Sequence, residues 1–310
     1  MTGTVATATG DAIKDAIPPP PPAFNYNNGG PGPQNPAIPY GNGMVLVPED
    51  ECYCSGWYDL KGSDSEWTFN QVMAWVCFIS CLCVLVTNLF LLFKLGRRYV
   101  AWEVIYVMCI VFTFYGFVIW LPWESPVMLW LNTGNFPTML RYGQWLFATP
   151  VLLVNVSDML GIHPNYSINN MLMVIADIFA VTIFVFCVLS TYFWVKAVGF
   201  GLSFVAFVYL FFLAFKCFKQ LLKECPNDSM KFTVKIISIV FFLGWNMHTV
   251  FATIGPDVTN WLMNVPTEIG SRFSDMVAKV TYCVLATYLR FQYYQHCKKH
   301  GDPRDADKPE

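Results

Sequence analysis

Charge is what this sequence has least of. Only 13% of its 310 residues are Asp, Glu, Lys or Arg, against about 25% in soluble domains, which excludes an ordinary soluble enzyme. The balance of 19 Lys+Arg against 21 Asp+Glu leaves a net charge of -2 and no basic footprint for nucleic acid. The 4 histidines and 11 cysteines lack the spacing of a metal site, and the cysteines are too few to staple a secreted scaffold in so long a chain. No secretory leader is expected in this stretch, because no basic region followed by a continuous apolar run stands before Pro18. The first spanning helix is therefore expected to do the targeting.

What the chain has is apolar surface: 55% hydrophobic and 17% aromatic residues, gathered into runs of about 20 residues, the length that crosses a bilayer as a helix. Phe69 to Phe93 contains no charged residue and is closed by Lys94, Arg97 and Arg98. Further spans are predicted over Ala101–Leu121, from Pro137 or Thr138 to Ser157, Ile168–Tyr192, Val195–Leu222, Thr233–Ile254, and from Thr267 past Arg290 towards His296 and His300. The expected fold is an all-α bundle of seven transmembrane helices over residues 69–295. It follows a Pro- and Gly-rich segment, 1–68, that cannot pack a core of its own, and precedes a short tail, 296–310.

Lys and Arg cluster after the first span, around the loop from the fifth to the sixth (Lys216, Lys219, Lys223, Lys231, Lys235), and after the seventh (Lys298, Lys299, Arg304). The positive-inside rule then places the N-terminus outside and the C-terminus in the cytoplasm. Arg272 and Glu268 at the outer mouth, and Lys94 and Arg97 at the inner side, could tune entry of an ion, but charges at helix ends are usually interface anchors.

A receptor or a small transporter also has this many helices, so the intramembrane charges must decide. Lys279 lies near the middle of the seventh span, where a lysine costs about 2.5–3.5 kcal/mol and needs a partner or a task. Asp275, four residues earlier, occupies the same helical face one turn away. The plain reading of this pair is an ion pair that orders the bundle; the sharper one is a lysine that carries an aldehyde chromophore as a protonated Schiff base, with Asp275 as its counterion.

Asp275-Met276-Val277-Ala278-Lys279 resembles the Asp-x-x-x-Lys motif of the microbial rhodopsins, and the segment from Arg141-Tyr142-Gly143-Gln144-Trp145 to Pro150 resembles their third helix. Within that family the chain is most similar to the channelrhodopsins of green algae. The likeness rests on Val45 to Cys54 near the N-terminus, Trp102 to Val107 at the second span, and His300-Gly301-Asp302-Pro303-Arg304 at the tail. The resemblance implies all-trans retinal on Lys279, with Trp145 and Trp245 sandwiching the polyene. It also implies a coupled pair on helices three and four, here Thr149 and Asp177, where the family has cysteine and aspartate. His248 replaces an aromatic of the family pocket and is followed by Thr249 where the family has proline, so colour tuning is expected to differ. A plasma-membrane, multi-pass protein of an algal eyespot is implied by the same likeness, as is a homodimer joined through Cys52 and Cys54. The other nine cysteines are expected to be reduced.

A proton pump of this family needs acids at the positions held here by Gln144 and Asn155, and neither amide ionises. A passive channel is the better reading. Cation-conducting relatives carry a row of glutamates where this chain has Val104, Val111 and Val118, spaced by seven on one helical face, and Pro122. Glu103 is the acid left on that helix, Asn155 and Arg290 are further pore candidates, and Arg141 is a fixed positive charge in the outer half. Loss of carboxylates along a pore favours anions, so a light-gated chloride channel is the favoured function. A weak cation or proton channel through Asp177 and Asp275 and a non-conducting sensory rhodopsin are the alternatives. No enzymatic activity is expected.

Overall fold

The computed structural model describes residues 44–45, 64–120, 129–130, 139–161, 168–190, 192–255 and 264–302. Cys52, Cys54, Pro122 and most of the segment 1–68 lie outside the described residues. The helices are α1 (Asp64–Leu95), α2 (Trp102–Trp120), α3 (Met139–Ser157), α4 (Ile168–Leu189), α5 (Phe193–Glu224) and α6 (Asp228–Ile254). Helix α7 runs as three consecutive stretches, Asn264–Asp275, a π-helical Met276–Thr281, and Tyr282–His300. Apart from a two-residue antiparallel pairing of Met44–Val45 with Leu129–Trp130, the described residues are helical. The chain is an all-α, seven-helix membrane protein.

Five of these helices, α1, α2, α4, α5 and α6, are long and apolar enough to cross a membrane. Their outward faces are apolar and exposed, as at Phe90 on α1, Phe186 on α4 and Phe204 on α5, because in lipid it is the polar groups that must turn inward. Consecutive helices pack side by side, and α7 closes the bundle against α1, α2 and α6.

Local chemistry explains where the helices begin and turn. Helix α6 starts five residues before the expected Thr233, because the Asn227 side chain caps it by accepting the Met230 backbone N–H at 2.9 Å. Helix α4 ends at Leu189 rather than Tyr192, and α5 begins at Phe193. Pro150 inside α3 leaves the Leu146 carbonyl without its helical donor, a local weakness near the middle of the bundle. Where α7 ends, Arg98 Nε and the Tyr99 hydroxyl meet Asp302 Oδ2 at 3.0 and 2.8 Å, tying the turn after α1 to the end of α7.

Two glycines permit close approaches. A side chain at Gly244 on α6 would lie 2.6 Å from the Ala278 backbone, so glycine lets α6 press against α7 beside Lys279. Gly161, just past α3, has φ +68°, a conformation that L side chains rarely adopt, and a side chain there would strike the Arg290 guanidinium.

Candidate functional site

Lys279 sits in the π-helical stretch of α7, 2% exposed, and ion-pairs with the fully buried Asp275. A π-helical turn inside an α-helix often marks a functional position. The Lys279 Nζ also donates to Gln144 Oε1 on α3 at 3.1 Å. The other carboxylate oxygen, Asp275 Oδ2, accepts from the Tyr115 hydroxyl of α2 at 2.6 Å and from Arg141 Nη1 at 3.4 Å. His248 on α6 brings Nε2 to 3.2 Å from Asp275 Oδ1, within ion-pair range but not aligned as a hydrogen bond. Four helices thus converge on one carboxylate.

Arg141 is shared. Its second nitrogen pairs with Glu268, and its guanidinium lies 5.3 Å from the centre of the Phe114 ring. Arg272 Nε approaches Glu268 at 4.0 Å while its Nη1 donates to the Asn70 carbonyl of α1. This corrects the placing of Arg272 and Glu268 as interface anchors: Arg272 is 4% exposed and belongs to the buried network. The physical reason is that α7 turns these residues onto the α1–α3 side, where each cation meets a carboxylate. Lys279, Arg141 and Arg272 face Asp275 and Glu268, so the cluster carries one positive charge in excess.

On the other side of Lys279 lies a cavity between α3, α4, α5, α6 and α7, enclosing about 820 Å³ between its walls, open mouth included. Trp145, Trp245, Phe184, Phe200 and Phe207 form its walls, and Lys279 supplies an amine from the α7 side. Trp145 is held edge-on to His248 at 5.3 Å, and Trp245 is stacked near Phe207 at 6.2 Å between ring centres. A flat, aromatic-walled slot with a single amine fits a polyene aldehyde such as retinal. Thr149 Oγ1, also on the cavity, lies 2.6 Å from Asp177 Oδ2 and 2.7 Å from the Trp145 carbonyl.

The remaining candidates lie along α2 and at the ends of α3 and α7. Val104 and Val111 are buried in the core and Val118 packs partly buried against it, so the valine face of α2 turns inward without a carboxylate. Glu103 is buried, and its Oε2 has no hydrogen-bond partner among the described residues. Asn155 accepts from the Tyr282 hydroxyl at 3.0 Å, and Arg290 Nη2 donates to the Asp158 carbonyl at 2.7 Å. Asn88 Oδ1 on α1 accepts from Thr287 on α7 at 3.0 Å. Among the described residues all nine cysteines are free thiols.

Sequence reasoning missed Tyr115, Tyr282 and the Asn88–Thr287 bond. The available signal was general: a hydroxyl or amide at membrane depth must find a partner, which flags Tyr115 and Asn88 without saying where the partner lies.

Fold and site define a seven-helix membrane protein with a buried lysine–carboxylate pair at an aromatic cavity. The family model for bacteriorhodopsin-like proteins matches residues 68–293, and the chain belongs to that family, the microbial rhodopsins. Among solved structures it is similar to the red light-activated channelrhodopsin Chrimson, with 27% identity, TM-score 0.71, and coverage of 85% of this chain and 92% of that one. It shares the fold of a thermophilic rhodopsin from Rubrobacter xylanophilus, at 16% identity and TM-score 0.63 over 72% of this chain and 97% of that one. The same holds for the proton pumping rhodopsin AR2 from the marine alga Acetabularia acetabulum, at 15% identity and TM-score 0.61 over 73% and 96%. No curated protein sequence matches the chain.

Proposed function

We propose that the chain is a light-gated ion channel of the plasma membrane, with all-trans retinal held on Lys279 as a protonated Schiff base and chloride as the favoured permeant ion. Retinal, when bound, supplies light absorption and a change of shape. Everything else falls to the chain. Trp145 and Trp245 hold the polyene between flat faces, Asp275 balances the charge at the Lys279 nitrogen, and Gln144 orients that nitrogen through its amide oxygen. Thr149 and Asp177 link α3 to α4 beside the cavity and are positioned to sense a change there.

Likeness to Chrimson, a channelrhodopsin, supports a channel over a pump, as do the amides Gln144 and Asn155 where a pump needs acids. The single observation that carries the anion reading is the charge of the interhelical path. Its outer cluster holds one more cation than carboxylate, and the α2 face that follows, Val104 and Val111, is apolar and acid-free. A net positive charge followed by a face without carboxylates favours anions over cations. Glu103, buried with an unpartnered oxygen, favours a second reading as a cation or proton path at the inner end.

The test is the reversal potential of the light-evoked current in voltage-clamped cells supplied with all-trans retinal, before and after most external chloride is replaced by a large anion. A move to positive potentials, following the chloride equilibrium, is expected. A reversal that follows sodium or pH overturns the anion reading, and pigment without current overturns the channel.

A further inference from the structure

His248 lies partly buried on α6, its side chain 12% exposed, and lines the cavity beside Lys279. Its Nδ1 has no hydrogen-bond partner among the described residues. An imidazole with a ring nitrogen shielded from water and left unpartnered forgoes a hydrogen bond that water would have provided, and such an imidazole calls for a task. Its Nε2 stands 3.2 Å from Asp275 Oδ1, and Lys279 is bonded to that same oxygen. Lysine nitrogen and imidazole therefore share one carboxylate oxygen.

We propose that His248 accepts the proton that leaves the Lys279 nitrogen during the light cycle, relayed through Asp275; this rests on the reading of Lys279 as the retinal-bearing residue. With its ring hydrogen on Nδ1, His248 presents a lone pair at Nε2. The N–H bond at Lys279 breaks and leaves its electron pair on nitrogen, and Asp275 Oδ1 takes the proton. The new O–H bond then breaks as the N–H bond at His248 Nε2 forms. Asp275 returns to a carboxylate and His248 becomes an imidazolium paired with it. No other reactant is needed.

The neighbours explain why the proton does not stop earlier. Gln144, the other partner of Lys279, is an amide and cannot accept it. Asp275 is met at Oδ2 by the Tyr115 hydroxyl from α2 and by Arg141 from α3, both of which favour its charged form. Of the charged and titratable groups around His248, Lys279 and Asp275 come from α7, Arg141 from α3, and Asp177 lines the same cavity from α4. Once Lys279 has lost its proton, the positive charge of an imidazolium takes the place of the one removed. The charge of the cluster is kept.

The experiment uses the full chain with retinal in lipid vesicles, carrying 15N-labelled histidine. Of the 4 histidines, His163, His248, His296 and His300, His248 lines the cavity, and its signal is assignable by substitution. Solid-state NMR of protein trapped under illumination is expected to show a new imidazolium, absent from His248→Phe and His248→Gln. Loss of the proton from the Lys279 nitrogen, followed as a blue-shifted absorbance, is expected to slow roughly 100-fold in both variants, as for removal of a positioned base. His248→Gln keeps a polar side chain should the phenylalanine variant fail to fold. An unchanged rate, or an imidazolium signal that survives in His248→Gln, overturns the proposal. Failure of the unsubstituted protein to form any visible pigment overturns the reading of Lys279 itself, a different result.

Discussion

Around Asp275, five ionisable side chains from α3 and α7 are packed into one network with Tyr115 and a backbone carbonyl of α1. Further along α7 the style changes: Tyr282 bonds Asn155 and Thr287 bonds Asn88 through neutral groups, before the Arg98–Asp302 ion pair where the helix ends. The difference is one of cost. Removing one partner of a buried ion pair costs about 3–5 kcal/mol, since it strands a charge in a medium that cannot solvate it. A neutral hydrogen bond contributes about 0.5–1.5 kcal/mol net. The cluster around Asp275 is therefore held by mutual compensation, and the Tyr282 and Thr287 links can part for a small fraction of that energy.

Substitutions can break this comparison, and the first is the most severe. Asp275→Asn leaves Lys279 and Arg141 without their shared carboxylate, so the folded protein should lose about 3–5 kcal/mol. The sign of the pH effect follows from the charge removed: a cation without its counterion gives up its proton at lower pH. Titration of the visible absorption should show the variant losing its long-wavelength band at lower pH than the unsubstituted pigment. Equal absorption at neutral and alkaline pH in the variant would sink the counterion assignment.

Val111→Glu tests the path between the two regions. It places a carboxylate on the apolar face of α2, and the light-evoked reversal potential should respond less to external chloride and more to external cations. A reversal that still follows chloride alone would separate selectivity from the acid content of α2.

The smallest effect is expected at Tyr282. Tyr282→Phe removes one neutral bond to Asn155 at a cost of about 1 kcal/mol, so channel closing should change by less than about tenfold. The double variant with Asn155→Leu should add little to either single change, which photocurrent decay can measure. Full additivity would mean that the two side chains do not act as a pair.

Much of the fold was legible in the sequence, because a bilayer imposes a length and a polarity on every spanning segment. The uncharged run from Phe69 to Phe93 could be little other than a helix, and it lies within α1. Boundaries slipped where polar residues belong to the helix: Asn227 and Asp228 read as loop but cap and open α6. Within the site, the Lys279–Asp275 contact follows from a spacing of four on one helix. The contacts of Tyr115, Glu268 and His248 do not, since they join residues up to 160 positions apart.

The sequence by itself determined the number of helices, their apolar outer faces, the lysine and carboxylate one turn apart, and the absence of acids from the valine face of α2. All of these are local properties, set by composition and helical period. Only the tertiary structure decided that Arg272 is buried, that a π-helical stretch carries Lys279, and that His248 and Lys279 meet at the same oxygen. The last of these depends on how α6 and α7 approach each other at Gly244, which interhelical packing sets and no run of neighbouring residues encodes.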